Sequence, residues 1–459
     1  SWPIMQTLTS INPANNSVVG TVTASPLSEI IEKVQAAHRA KAAWKMLGAH
    51  DRCCRLQPLQ ALISLHQDDI ARLITQEMGK PISQAQSEIQ WAQDYLQDFL
   101  DNGPGYLANE ITVQESLAQH EIVYEPFGVA ACITPWNYPF SNFIVNVIPL
   151  LITGNVVVFK HSEECPLVGQ FADQMMQALT LPDGVYAQVY GDGAVGQQLV
   201  EQDIQLISFT GSSQAGHRLA AMAGQKCIKA VLEMGGSDPA VLFDDAPIDT
   251  IIPELYARRF MNCGQICCAV KRLIVQASIY DRVVDKLVDY LREIKIGDPM
   301  DPDTQMGPLA ALRQLQLLEK QVAASVSKGA KIAIGGKKPD NTAGAYYLPT
   351  VLTHIDRSMS VWREEIFGPV LPVIAFRTEE EAIALANDTP YGLSAVVYST
   401  NLERARRVAA QIDAGCIDIN LASHWRPCNP FGGYKASGMG RIYGKPGFLD
   451  LCQIKVIAQ

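Results

Sequence analysis

Along Pro26–Leu47 the apolar residues Ile30, Val34, Ala37, Ala40 and Trp44 recur at helical spacing, with charged residues between them. Asp51–Leu100 repeats that pattern with one polar face, so the N-terminal third is expected to be mainly helical. From about Val156 the period changes. Val156–Lys160, Tyr186–Tyr190 and Leu206–Phe209 read as strands; Leu167–Leu179, Val195–Gln202 and Ser213–Ala223 read as helices. This alternation predicts right-handed βαβ units in a parallel sheet with helices on both faces. A second block follows, with strands at Pro239–Phe243, Arg272–Gln276, Val370–Phe376, Ser394–Tyr398 and Ile417–Asn420. Helices are read at Asp281–Glu293 and Ala311–Lys328. Two α/β lobes result. Gln119–Tyr124 and the tail Gln453–Ile457 alternate weakly and fit strands outside either lobe.

The longest apolar run, Phe143–Phe159, is interrupted by Asn146, Pro149, Gly154 and Asn155. A membrane span of ~20 residues tolerates those poorly. The run is read as a buried helix, a Gly-Asn turn and a strand. Ser1 to Thr9 has no basic stretch followed by an apolar core, so no signal peptide is expected.

A chain of 459 residues, 48% hydrophobic and 18% charged, is globular and long enough for two or three domains. Its net charge of −10 argues against a nucleic-acid partner. The cysteines number 11, an odd count, and runs such as those around Cys132 and Cys227 suggest buried, reduced thiols rather than a disulfide scaffold. No metal-ligand cluster is read.

Several short segments carry candidate chemistry. In Asn262-Cys263-Gly264-Gln265-Ile266-Cys267-Cys268 a Gly-Gln turn precedes a thiol. A thiol becomes a nucleophile when its anion is stabilised; two small buried residues are the plainer reading. Glu233-Met234-Gly235-Gly236 puts a carboxylate at a strand end beside residues that let backbone approach closely. A solvated strand-end Glu fits that segment as well. In Thr134-Pro135-Trp136-Asn137-Tyr138-Pro139 the Asn137 amide sits between two prolines, pre-positioned for an oxyanion or simply forming an Asx turn. Phe209-Thr210-Gly211-Ser212-Ser213 and Gly191-Asp192-Gly193 follow strands and open helices, which suits phosphate binding and helix capping alike. Glu364-Glu365-Ile366-Phe367-Gly368-Pro369 and Pro430-Phe431-Gly432-Gly433-Tyr434-Lys435 read as tight loops.

Taken together and in this order, these segments resemble the aldehyde dehydrogenase superfamily from about Asn12 to the end. The 34 residues from Glu233 to Cys267 fit that family's separation as well. The resemblance implies an α/β fold with a Rossmann-like cofactor domain (1–107 and 127–234), an α/β catalytic domain (235–436) and a small β oligomerisation arm (108–126 and 446–459). It implies a homodimer or homotetramer in the cytoplasm. It also implies Cys267 as nucleophile, with Cys268 as its neighbour. Asn137 and the Cys267 N–H would form the oxyanion hole, and Glu233 would be the base. Cofactor contacts would come from Thr134, Trp136, Lys160, Glu163, Gly193, Gly211, Ser212, Glu365 and Phe367. A carboxylate at Glu163 suits the free ribose hydroxyls and repels a 2′-phosphate, so NAD is expected over NADP, with NADP still usable.

The segments Lys160-His161-Ser162, Glu233–Pro239 and Cys267–Arg272 are similar to a bacterial succinate semialdehyde dehydrogenase subgroup. Relatives of that activity carry two arginines where this chain has Val145 and Met261. Arg426 is the expected carboxylate anchor, with Tyr138 beside the substrate; a surface arginine is the alternative. Dehydrogenases of another small aliphatic or acidic semialdehyde fit the same motifs. The vicinal Cys267 and Cys268, with Cys263 nearby, imply reversible peroxide sensitivity. Two rival classes are a Cys-His hydrolase, for which His424 is the late candidate, and a non-catalytic binding protein of the same fold.

Overall fold

The computed structural model describes residues 6–459. The stretch read for a signal peptide falls partly on residues 1–5, outside the described residues.

Two mainly parallel sheets dominate. The first runs, across the sheet, Gly438–Met439, Lys229–Glu233, Leu206–Thr210, Val129–Ile133, Val156–Lys160 and Tyr186–Val189. The last five are mutually parallel. Chain order grows outward in both directions from Val129–Ile133, so the direction of winding reverses between that strand and Leu206–Thr210. Such a reversal opens a crevice at the carboxyl ends of the strands. Val156–Lys160 is buried on both faces, as a β-branched run in a parallel sheet requires. Each fully buried valine there contributes roughly 1.5–3 kcal/mol.

The second sheet runs Lys331–Ile334, Thr350–Thr353, Val370–Phe376, Val270–Gln276, Asp238–Leu242, Ser394–Tyr398 and Cys416–Ile419. Only its first pair is antiparallel. One large apolar cluster surrounds the first sheet and the N-terminal helices, and two more cover the faces of the second. Glu110–Gln114, Gln119–Pro126 and Cys452–Ala458 form a separate antiparallel sheet. Its outer strand exposes Ile454 and Val456. Among the described residues no helix is long and apolar enough to cross a membrane.

The expected helices of the N-terminal third are Leu27–Met46, Ala49–Leu56, Leu59–Met78 and Ile82–Tyr106. The structure adds a hairpin before them, Thr7–Ile11 with Val18–Thr23. It also places a strand at Val129–Ile133, before the point where the sequence pattern turns to α/β. That strand is rich in alanine (Val-Ala-Ala-Cys-Ile), so it carries little β signature of its own. A second correction concerns the cysteines. All eleven are free, but Cys227 is exposed, because it ends the helix Ser213–Lys226 in a left-handed conformation.

Candidate active site

Three carboxyl ends of the first sheet carry expected residues. Thr134 and Trp136 follow Val129–Ile133, Lys160 ends its own strand, and Gly211 and Ser212 follow Leu206–Thr210. Ser212 caps the helix Ser213–Lys226 and accepts from the Ala215 N–H at 3.3 Å. Asp192 caps Gly193–Glu201 by accepting from the Ala194 N–H at 2.9 Å. The capping reading is therefore realised in both, while the helix N-termini still face the crevice mouth. A Cβ on Gly193 would meet nothing within 4 Å. The Thr134 hydroxyl is buried without a partner. Lys160 is buried, with Nζ 3.7 Å from Glu163 Oε2 and donating to the His161 carbonyl at 3.0 Å. Burial lowers the Lys160 pKa, and Glu163 opposes that. The open Gly193, the helix ends and the orphaned hydroxyl suit an elongated, hydrogen-bonding anion such as a dinucleotide.

Across the crevice, Glu365 reaches from the second sheet. Its Oε1 accepts from Lys271 Nζ at 2.7 Å and from the Gly236 N–H at 3.2 Å. A Cβ on Gly235 would fall 2.1 Å from Glu365 Oε2, so glycine there makes room for the carboxylate. Phe367 meets Trp136 edge-to-face at 5.6 Å, joining the two halves of the site.

Cys267 is half-buried at the end of a turn that begins at Asn262. Its thiol pKa is lowered, first by a hydrogen bond from Cys268 and further by the charge of Lys271; burial works in the opposite direction. The Cys268 thiol is pushed well up by the same contact. Lys271 is the residue that motif reading missed. Its buried Nζ donates to the carbonyls of Gly236 (2.8 Å) and Cys267 (2.7 Å) as well as to Glu365. Arg272 was equally unassigned. It donates to the carbonyls of Ser237, Leu385 and Ala386 and holds the loop from beneath. A cation four residues after a thiol, in an otherwise apolar run, was the available signal.

Glu233 ends Lys229–Glu233 and is buried, and neither carboxyl oxygen has a hydrogen-bond partner. Burial raises its pKa well above 4.5, and the neighbouring Cys267 adds to the rise. A Cβ on Gly432 would sit 2.7 Å from its Oε1, so the Pro430–Lys435 loop closes over it. Asn137 is buried and donates through Nδ2 to the Gln265 carbonyl at 3.1 Å, two residues before Cys267. One amide hydrogen is thereby fixed and the other remains. Tyr138 lies under Lys80, whose Nζ is 3.6 Å from the ring centroid. The site thus brings together an activated thiol, a dry carboxylate and a buried amide donor, a set suited to acyl chemistry on a carbonyl.

Arg426 is exposed, donates weakly to the Trp425 carbonyl at 3.4 Å, and has no carboxylate partner among the described residues. Asp418 engages His424 Nδ1 at 3.1 Å, the ring stacks on Phe431, and Nε2 has no hydrogen-bond partner, so among the described residues no hydrogen bond joins His424 to Cys267 as a Cys-His pair requires.

The aldehyde dehydrogenase family profile matches residues 3–457. Glutarate-semialdehyde dehydrogenase of Pseudomonas aeruginosa is 35% identical over 454 residues, covering 98% of this chain and 94% of that protein. Succinate-semialdehyde dehydrogenase (NADP+) of Escherichia coli is 35% identical over 446 residues, covering 97% and 92%. Among solved structures, betaine aldehyde dehydrogenase of Staphylococcus aureus in complex with NAD+ matches with a TM-score of 0.95 at 33% identity, covering 99% of this chain and 91% of that one.

Proposed function

The chain belongs to the aldehyde dehydrogenase family, an oxidoreductase family that uses NAD or NADP, and from that premise we propose that it oxidises a short acidic semialdehyde, succinate semialdehyde foremost, through Cys267. The observation that carries this reading is the placement of Cys267, its carbonyl held by buried Lys271, beside the buried, partnerless Glu233. NAD or NADP would be held by Thr134, Trp136, Lys160, Glu163, Gly193, Gly211, Ser212, Glu365 and Phe367 and would supply the acceptor for the hydride that the reaction removes.

The protein's own groups do the rest. The Cys267 thiolate forms a bond to the aldehyde carbon, and the carbonyl oxygen becomes an oxyanion. Asn137 Nδ2 and the Cys267 N–H donate to that oxygen. Once the hydride has left, a thioester remains on the sulfur. Glu233 takes a proton from water, whose oxygen adds to the thioester carbon. The carbon–sulfur bond then breaks and Cys267 leaves as thiolate. Burial makes Glu233 a strong base once ionised.

NAD is the preferred cofactor in this reading, because the Glu163 carboxylate, 3.7 Å from Lys160 Nζ, would repel a 2′-phosphate. Arg426, exposed and unpaired, anchors the distal carboxylate of the substrate, with Tyr138 beside its chain. Glutarate semialdehyde is the second substrate reading, favoured by the Pseudomonas relative. The exposed apolar edge of the three-stranded sheet suits assembly as a homodimer or homotetramer. Eleven free thiols suit the cytoplasm.

The test is a panel of propanal, succinate semialdehyde and glutarate semialdehyde with NAD and with NADP, for wild type and Arg426→Ala. Succinate semialdehyde with NAD is expected to give the highest kcat/KM. Arg426→Ala should raise KM for the acidic aldehydes about tenfold, the loss of roughly one charged hydrogen bond, and leave propanal unchanged. Equal KM values for the two proteins would remove the anchor.

A further inference from the structure

We infer that Gln84 is a positioning residue for the reacting groups, one of three side chains that hold the Cys267 turn and the Asn137 segment in register. The inference rests on the roles proposed above for Cys267 and Asn137. Three consecutive residues, Asn262 (φ 50°), Cys263 (φ 55°) and Gly264 (φ 73°), are left-handed. Residues with a Cβ disfavour that region, so a turn containing two of them must be held from outside.

Gln84 supplies the hold. Its Oε1 accepts from the Asn262 N–H at 2.8 Å, and its Nε2 donates to the Gln305 carbonyl at 2.9 Å, which fixes the carboxamide. Asn262 passes the restraint on. Its Nδ2 donates to the Asn137 carbonyl at 2.9 Å and to the Gln265 carbonyl at 3.2 Å. Gln265 Nε2 returns a bond to the Asn262 carbonyl at 2.9 Å. The residue that Gln84 grips is therefore bonded both to the backbone of Asn137 and to the turn that ends in Cys267.

Four residues to either side lie Lys80 and Glu88, a fully buried ion pair. Lys80 covers the Tyr138 ring, and Glu88 Oε1 accepts the N–H groups of Phe140 (2.9 Å) and Ser141 (3.0 Å). Their spacing of four puts Gln84 and Glu88 on one side of the helix Ile82–Tyr106, and Lys80, two residues before the helix, joins that side through its ion pair with Glu88. That side grips Tyr138–Ser141 with Lys80 and Glu88 and grips Asn262 with Gln84. The separation between the sulfur and the amide that must catch the oxyanion is set by this helix. Gln84 acts through the Asn262 backbone and the Gln305 carbonyl.

Lys80 and Glu88 are poor probes, because breaking a buried ion pair threatens the fold. Gln84 is only half-buried, so Gln84→Ala and Gln84→Glu are compared in the full-length protein. The measurements are kcat per titratable Cys267, KM for NAD and aldehyde, and Tm. Gln84→Ala is expected to lower kcat per active thiol about 10- to 100-fold, the range of an ~1 Å misplacement, with KM for NAD unchanged. Gln84→Glu keeps the acceptor for the Asn262 N–H but loses the donor to the Gln305 carbonyl, so it should recover part of that loss and remain faster than Gln84→Ala. In an Asn137→Ala background, Gln84→Ala should cost nothing further. A lower Tm with unchanged kcat per thiol, or the same fold-loss with and without Asn137, would overturn the inference. Cys267→Ala separates it from its premise. Turnover surviving that change sinks the proposed chemistry, whereas an inactive Cys267→Ala beside a full-speed Gln84→Ala sinks only the positioning role.

Discussion

Replacing Glu233 by glutamine separates the two halves of the reaction. The side chain is 3% exposed and both oxygens lack partners, so the amide fits the same space without breaking a protein hydrogen bond. What disappears is the proton acceptor. Loss of a general base costs about 10²–10⁴ in rate, or ~3–5 kcal/mol of barrier. That cost falls on thioester hydrolysis, since Cys267 is activated by Cys268 and Lys271. Stopped-flow absorbance should record a burst of one NADH per Cys267 near wild-type speed, followed by slow turnover. Steady-state turnover within roughly threefold of wild type would refute the base assignment. The same variant tests the burial argument. The folded Glu233 pKa is raised above its unfolded value of 4.5, so the folded protein keeps this proton longer. The stability it contributes is complete below the unfolded value and is lost as pH rises toward and through the folded one, by up to ~1.4 kcal/mol per pH unit. Glu233→Gln has no such slope. Its Tm relative to wild type should therefore climb with pH above about 4.5. Parallel Tm profiles would contradict the raised pKa.

Two more outcomes follow from the charges around the crevice. Lys271→Met removes a cation that draws the Cys267 thiol down. Peptide-mapped alkylation of Cys267 should slow near neutral pH and converge with wild type in alkali, and superimposable pH profiles would refute this. Glu163→Ser removes the carboxylate beside Lys160 and should raise kcat/KM for NADP about tenfold relative to NAD. An unchanged NADP/NAD ratio would rule out Glu163 as the discriminating group.

Much of this arrangement was legible in the chain. Strands buried on both faces announce themselves by β-branched runs, and Val370–Phe376 and Ser394–Tyr398 fall where the pattern sets them. Val129–Ile133 escaped because alanine and cysteine carry no strand signature; its place is fixed by pairing with Val156–Lys160 and Leu206–Thr210. The N-terminal hairpin was passed over although both strands, Thr-Leu-Thr-Ser-Ile and Val-Val-Gly-Thr-Val-Thr, carry the β-branched residues of a strand. At the site, Trp136 and Phe367, both singled out in the sequence, pack edge-to-face. Lys271, Gln84 and Lys80 went unassigned for a different reason. Their partners lie far away in sequence, at Glu365, Asn262 and Tyr138, and a lone lysine or glutamine reads as solvated surface until the fold buries it. Cys227 erred the other way: Gln225, Lys226 and Lys229 flank it in sequence, and it faces solvent at a helix end.

The thioester is the most direct witness to the chemistry. Glu233→Gln mixed with succinate semialdehyde and NAD, quenched in acid during the burst and digested, should yield a succinyl group on the Cys267 sulfur and none on Cys268 or Cys263. Acylation at another cysteine, or a full NADH burst with an unmodified Cys267, would contradict the account.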